Sequence, residues 1–557
     1  MRTPNLFQAL LPRLGLAVAL GLAGFSGQAQ VAAPTWASVQ RVTSSPDPDN
    51  ISVGSKVVVA PDGSQFFYGR FLGSFTIGGT TITAGAEDNQ FFLAKLNPAG
   101  TLAWVRQGEE VSGDSESTLA VDAAGNVYLA GFFEEGFSFG SVVFTSASGT
   151  TDSFLLKLDP QGQTVWSKTG GVTNGDAYLR GVATDAAGNV YISGNFEGQL
   201  NFGGGAANQL SANDSNIFLY KFSPSGAPAW ARQAGGLRGD TNYDLAADAA
   251  GNTYLTGSIS GSASFGTVVL NATTTDEDMY VAKFDAQGTA LWAQRAGTVS
   301  NDQGQTIAVD AAGTVAVGGF VNAIPVGTFD YESTAYLARF GAQGTLLWSR
   351  QIEPSVRGEY SILGISYDGR GGIYAVGSYA GNLTLAGTTL TAIEESPFVV
   401  RYDGTGNAVW VGTTTHSVPS ESFFLDVTTD AAGNAYLAGA VLGNVSFGSI
   451  ATSGPNYSAF LAKLNAGGIV TSTRQKVADL PLSAYPNPAS ERATVVLPQG
   501  GGQLVVVDAL GRTVRTQALP TAAGPFEVSL AGLTSGMYQL RATLGNGRTA
   551  ATRLTVR

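Results

Sequence analysis

Cysteine is absent from the 557 residues, and histidine occurs once, at His416. The first absence removes disulfides, thiolate metal sites, a cysteine nucleophile and a lipidated N-terminal cysteine. The second removes any multi-histidine zinc site. The lone imidazole stands in Thr413-Thr414-Thr415-His416-Ser417; with no nucleophile elbow to complete a serine triad, it reads as a surface-loop residue. Charged residues are also scarce, 13% of the chain against a usual share of about 25%. Lys+Arg number 30 and Asp+Glu 42, a formal net charge of −12, and no basic run occurs. Nucleic-acid binding rests on a basic face that displaces phosphate counterions, so it is not expected. Long apolar stretches are missing as well. The longest, Leu14 to Phe25, is shorter than the roughly 20 residues that span a bilayer, and no transmembrane segment is expected.

What the chain has is glycine, 74 residues, with 44% hydrophobic and 10% aromatic residues. That glycine share is nearly double the usual value of about 7% and suits short strands joined by tight turns. Residues 1–30 carry Arg2 and Arg13, then the apolar run, then Ser26-Gly27-Gln28-Ala29-Gln30. A basic start, a short apolar core and a small-residue cleavage zone make a signal peptide, with cleavage near Ala29.

One phrase then recurs seven times, as in Val121-Asp122-Ala123-Ala124-Gly125-Asn126-Val127-Tyr128. Its aspartates are Asp62, Asp122, Asp185, Asp248, Asp310, Asp368 and Asp430, spaced by 60, 63, 63, 62, 58 and 62 residues. A period near 60 with strand-like flanks means a repeat architecture. Each unit reads as four strands: one ending at the Asp, one after the glycine turn, one of the type Phe154-Leu155-Leu156-Lys157-Leu158, and one carrying a tryptophan such as Trp166. The variable segment between the second and third strands, such as residues 138–143, reads as a small extra hairpin. Asp accepts backbone N–H groups across a tight turn and Gly takes the left-handed conformation. Four antiparallel strands repeated seven times predict an all-β chain folded as a seven-bladed β-propeller. The seven tryptophans, Trp36, Trp104, Trp166, Trp230, Trp292, Trp348 and Trp410, read as one repeat position, with Ser472 in an eighth copy. The strand of Trp36 is therefore expected to complete the last blade and close the ring. An open solenoid would need polar capping repeats instead. Packing between blades is the expected work of the indoles.

The phrases V-D-A-A-G-N-V-Y, F-L-A-K-L and W-x-x-Q resemble the SBBP (seven-bladed beta-propeller) repeat of bacterial extracellular proteins, over residues 31–475. The resemblance implies a fold and an exported location, and no defined reaction. The copy at Tyr367-Asp368-Gly369-Arg370 departs from the pattern.

After Gln475 the repeat stops. Residues 476–484 read as a linker and 485–557 as a second domain, whose short alternating strands suit a small Ig-like β-sandwich. From residue 478 on the charge is +3 and in the first thirty residues +2, which leaves −17 on the repeat region. Tyr485-Pro486-Asn487-Pro488, the glycine turn at Gly511, Gly536-Met537-Tyr538 and the end at Arg557 resemble the type A C-terminal sorting domain of the type IX secretion system of Bacteroidetes. The resemblance implies passage across the outer membrane, the type IX translocon as partner, and secretion or attachment to the cell surface.

Candidate ligand residues come from the acids. In a four-stranded propeller the loops between strands two and three and the loops between blades open on one face. Asp114, Asp152, Asp176, Asp214, Asp240, Asp276 and Asp278 fall in those loops and mark a possible ligand face. An acidic mouth recruits cationic groups, and oxygen-rich loops bind calcium. No D-x-D-x-D-G loop with a closing Glu occurs, so calcium is weakly supported and no cofactor is assigned. The reading is an exported, non-enzymatic binding or scaffold protein whose extracellular ligand is a glycan or protein. The alternative is a carbohydrate-active hydrolase working through paired carboxylates at the ring centre.

Overall fold

The computed structural model describes residues 33–44, 50–84, 90–110, 117–146, 149–271, 276–297, 301–322, 333–356, 358–417, 419–467, 480–482, 484–497, 501–507, 513–544 and 549–557. The signal peptide and Ser472 lie outside them. The chain divides into two compact units, Ala33–Ala466 and a C-terminal unit from Gly467 that is grouped with the first 32 residues.

The first unit is a β-propeller built from antiparallel sets of four strands. In the first set Ile51–Val59, Gln65–Leu72, Gln90–Leu96 and Leu102–Glu110 pair in chain order. The sets that follow begin with the inner strands Ser117–Val121, Ala177–Thr184, Thr241–Ala247, Asp302–Val309, Ile362–Tyr367 and Glu421–Thr429. These strands touch one another in order, and the last touches the first. The final set takes its outer strand from the N-terminus: Thr35–Arg41 pairs with Ser458–Asn465. One sheet thus joins the two ends of the unit.

The turn after each inner strand shows why Asp and Gly recur. Asp122 Oδ1 accepts the N–H groups of Ala124 (3.0 Å) and Asn126 (2.9 Å), and its Oδ2 accepts from Asn126 Nδ2 and the Tyr128 hydroxyl. Asp185, Asp248 and Asp430 repeat all four bonds. Burial works against the Asp122 carboxylate, but the bonds from Asn126 and Tyr128, with Lys157 nearby, outweigh it and hold the acid below its usual range. The divergent copy keeps the turn: Asp368 accepts from Arg370 and Gly372 N–H and gains a buried Arg401 partner.

The first copy is shifted. Ala60, not Asp62, makes the bonds of the turn residue, since Ala60 N–H reaches Ser64 O and Gly63 N–H returns to Ala60 O. The true spacing to Asp122 is therefore 62 residues.

The extra hairpins do not stay within their own blade. Gly136–Phe139 pairs with Val142–Thr145 and also with the preceding blade's outer strand, Leu102–Glu110. Ala263–Phe265 does the same on Pro228–Gly235.

The C-terminal unit has a five-stranded sheet ordered Leu480–Pro481, Thr549–Val556, Gly536–Leu544, Gly502–Val507, Thr513–Leu519, and a three-stranded sheet of Ala484–Tyr485, Arg492–Leu497 and Gly524–Ser529. Val495, Val528, Leu504, Leu540 and Leu554 form its buried core. The sorting motif lies against the last strand: Asn487 Oδ1 accepts Thr555 N–H (2.9 Å) and its Nδ2 donates to Arg553 O (2.8 Å). Tyr485, between Ala484 and the cis Tyr485–Pro486 bond, is exposed, and a second cis bond joins Asn487 to Pro488. Gly536 opens a strand, and the buried Tyr538 donates its hydroxyl proton to Thr534 O. Gly511 lies outside the described residues.

Candidate functional site

Three of the seven acids of the expected ligand face, Asp152, Asp176 and Asp240, accept backbone N–H groups. Asp240 is fully buried and accepts the N–H groups of Gly236 (2.6 Å) and Ser260 (3.1 Å). Burial pushes its carboxyl up to about 6. Asp152 is buried and accepts Val172 N–H, while Asp176 accepts Thr151 N–H at 2.7 Å. Asp278 is buried in an ion pair with Arg295. Only Asp214 and Asp276 are exposed, and Asp114 lies outside the described residues. Among the described residues no three His, Asp or Glu side chains gather in a way that could hold a metal ion.

His416 is not a loop residue. It sits in the short strand Thr415–His416 and is partly buried, which lowers its basicity. Ser422 Oγ, 3.5 Å from Nδ1, is wholly buried and engaged with Thr414 at 2.7 Å. The string Gly136-Phe137-Ser138-Phe139-Gly140 spells G-x-S-x-G, yet it forms a hairpin strand and not the strand-to-helix turn of a nucleophile elbow.

The tryptophans build the joints between blades. Trp104, Trp166, Trp230, Trp292 and Trp348 each donate Nε1–H to a turn carbonyl of the following blade, Pro160, Pro224, Ala286, Ala342 and Gly404, at 3.1 to 3.2 Å. The third-strand cations Lys95, Lys157, Lys221, Lys283 and Arg339 donate to the same five carbonyls. The glycine of each receiving turn lies on the indole: a Cβ on Gly162, Gly226, Gly344 or Gly406 would come within 2.6 to 3.0 Å of it, at φ between +75° and +83°.

Trp36 does not hold this position. Elsewhere the tryptophan faces the third-strand cation, as Trp104 faces Lys95. In the closing blade Ser38 faces Lys463, and Trp36 is two residues earlier, packed on Phe447 and Phe424. The indole slot is left as a cavity of about 240 Å³ beside Ser38, Lys463, Pro98 and Gly100. A Cβ on Gly100 would meet nothing within 4 Å. A two-residue slip keeps the strand's faces and so leaves no trace in its alternation.

The concave site is on the ring axis. The inner strands are broken by β-bulges that skip Ser55, Arg180, Tyr243, Gln305, Leu363 and Leu425. Each stands five residues before its turn residue, and Ser117 holds the same place before Asp122. A bulged residue leaves the ladder and its side chain is re-aimed. Ser55, Ser117, Arg180, Tyr243, Gln305 and Leu363, one from each of six blades, line a cavity of about 440 Å³ together with Lys56, Tyr68 and Arg70. The described lining holds three cations and no carboxylate. Arg180 lies over the rings of Phe132, Tyr178 and Tyr243, 5.5 to 5.9 Å from their centroids.

Two acids lie close to Lys56, on the inner strands beside the cavity. Asp426 accepts Val57 N–H at 2.9 Å, which ties the last inner strand to the first, and stands 4.0 Å from Lys56 Nζ. Asp244 accepts Ile307 N–H at 2.8 Å; burial pushes it up to about 6 against the pull of Lys56. No composition signal marked the axial residues, because the bulge position carries Ser, Ser, Arg, Tyr, Gln, Leu and Leu in turn. The constant offset from the turn was the one legible clue.

Comparison with known proteins divides along the same lines. Residues 483–557 match the family described as secretion system C-terminal sorting domain. An uncharacterised WD repeat-containing protein of Acanthamoeba polyphaga mimivirus is 24% identical over 67% of this chain, and the chain spans about a third (32%) of that relative's length. Among solved structures, PorZ, a surface component of the type-IX secretion system of Porphyromonas gingivalis, is 13% identical with a TM-score of 0.23, covering 90% of this chain and 82% of its own. The Pan2 WD40 domain of Neurospora crassa is 10% identical with a TM-score of 0.36, covering 77% of this chain and 97% of its own. The sorting domain implies export to the cell surface or secretion. No helix among the described residues is long and apolar enough to cross a membrane.

Proposed function

We propose that this is an exported, non-enzymatic binding protein: a seven-bladed propeller of SBBP type, routed by the type IX translocon through its C-terminal domain, that holds an extracellular ligand in the axial cavity. The observation that carries the reading is the variation of the bulge residue inside an otherwise regular repeat. The turn aspartates, joint tryptophans and third-strand cations recur because each serves the ring. The residue at the bulge position makes no bond that recurs from blade to blade, is of five kinds, and in six blades lines the axial cavity. Largely preformed cavities with a few polar groups are where small ligands bind.

The hydrolase alternative needs a pair of carboxylates at the ring centre. Among the described residues, Asp244 and Asp426 beside the cavity are each committed to a backbone amide of the neighbouring blade, which favours binding over catalysis.

Two experiments test the reading. Deleting residues 480–557 is expected to trap the protein inside the outer membrane, and normal secretion of the truncated chain refutes the routing. Leu363→Trp, which fills the axial cavity from one wall, is expected to abolish ligand capture in a glycan and peptide screen while the melting temperature holds.

A further inference from the structure

The joint that closes the ring is built like the others except for the group at its centre. In five joints an indole lies on the glycine of the following blade's turn and donates to a carbonyl of that turn. In four of them a ring on the second strand, Phe66, Tyr128, Tyr191 or Tyr254, stands 5.9 to 6.5 Å from the indole, tilted by 54° to 58°, with the third-strand lysine over it. The seam has each of these parts. Tyr436 holds the place of the ring, with Lys463 Nζ 5.1 Å above it. The turn 97–100 closes by the same backbone bonds as the turn 159–162, which sets Pro98 in the place of Pro160 and Gly100, at φ +81°, in the place of Gly162. All four residues line the cavity of about 240 Å³, and Ser38 stands where the other joints attach the indole. Five filled copies in the same chain thus define what this slot is shaped to hold.

Filling the slot displaces no existing contact. In the other joints one carbonyl accepts the third-strand cation and the indole together, as Pro160 O does from Lys95 and Trp104, because a carbonyl has two lone pairs. Lys463 therefore keeps its place over Tyr436 while a ligand N–H donates to Pro98 O. The mouth faces water, since Ser38, Pro98 and Ala99 are exposed. The seven tryptophans of the sequence are already placed: five fill the joints above, and Trp36 and Trp410 pack against one apolar core. An indole for the seam comes from another molecule. The five reference indoles arrive as side chains of extended backbone, and tryptophan is among the residues that most often anchor an interface by filling a pocket.

We infer that the seam slot binds the tryptophan side chain of an extended segment of a partner protein, with its indole on Gly100 against Tyr436 and its N–H on Pro98 O. This site is separate from the axial cavity and does not rest on the reading of that cavity.

The test is calorimetric titration of the full chain with the peptide Gly-Gly-Trp-Gly-Gly, the same peptide with phenylalanine or 1-methyltryptophan at its centre, and free 3-methylindole. The tryptophan peptide is expected to bind at least about tenfold more tightly than the phenylalanine peptide. The 1-methyl peptide, which lacks the N–H donor, is expected to lose about threefold to tenfold, the range of one hydrogen bond. Ser38→Trp supplies the indole from the chain itself and is expected to abolish binding with no fall in melting temperature. Should that variant fail to fold, Ser38→Phe, which places a smaller ring in the slot, replaces it with the same expectation. Leu363→Trp, on the ring axis, is expected to leave the binding intact. Absence of binding, equal affinity for the phenylalanine peptide, indifference to Ser38→Trp, or loss of binding in Leu363→Trp overturns the inference. Binding of 3-methylindole at least about tenfold tighter than the tryptophan peptide overturns the partner segment, because the slot then excludes a peptide backbone.

Discussion

The ring has two layers that obey different rules. At the joints the same bond recurs from blade to blade, an indole N–H and a cation meeting one turn carbonyl over a glycine. Around the axis one position, five residues before each turn residue and bulged in six of the copies, carries seven side chains of five kinds. The joint must be repeated because each blade has to fit its neighbour at the same angle for the circle to close. The bulge residue leaves the ladder in six blades, so no strand pairing recurs there to fix its identity. Constancy in a repeat marks the scaffold, and variation at a fixed offset marks the surface free to acquire a function.

The contrast can be broken at several places. The largest effect is expected at a joint. Trp292→Ala removes a buried indole and its bond to Ala342 O, and should cost about 3–5 kcal/mol in chemical denaturation. A loss below about 1 kcal/mol would mean the joints do not carry the ring. Next is Asp240. Its carboxyl is raised to about 6 in the folded chain, above its unfolded value, so the folded state holds the proton more tightly. Its contribution is complete below about pH 4 and is lost as pH rises through about 6, on the order of 2–3 kcal/mol. Asp240→Asn should flatten stability across that window, and unfolding curves at pH 4 and pH 7 check it.

A smaller effect, of opposite sign, is expected at the seam. Ser38→Trp offers an indole to the slot beside Lys463, Pro98 and Gly100, and should raise stability by about 0.5–2 kcal/mol. An unchanged or lowered melting temperature would show that the seam has relaxed around its cavity. The smallest stability change belongs to the axis. Ser55→Ala should shift unfolding by less than about 1 kcal/mol, although it alters a wall of the axial cavity. A large destabilisation there would erase the distinction between the layers.

The sequence was most informative where physics repeats. The Asp–Gly turn, the apolar third strand and the tryptophan are visible because each solves the same local problem at every copy. It misled where one copy departs from the rest. Asp62 lies beside the true turn position held by Ala60, because a neighbouring Asp-Gly pair imitates the motif. Trp36 matches its siblings by residue type and not by register. The acids read as a ligand face illustrate a third limit. Composition counts the carboxylates of Asp152, Asp240 and Asp278, but not the amides and the guanidinium that already occupy them.

The order of the chain by itself determined the strand content, the repeat and the sorting motif. These follow from alternation, turn chemistry and short-range spacing, which are properties of neighbours along the backbone. The tertiary structure alone decided which residues meet on the axis and which acids are already satisfied. Those outcomes depend on strands about sixty residues apart being brought within bonding distance, and no local pattern encodes the register at which they meet.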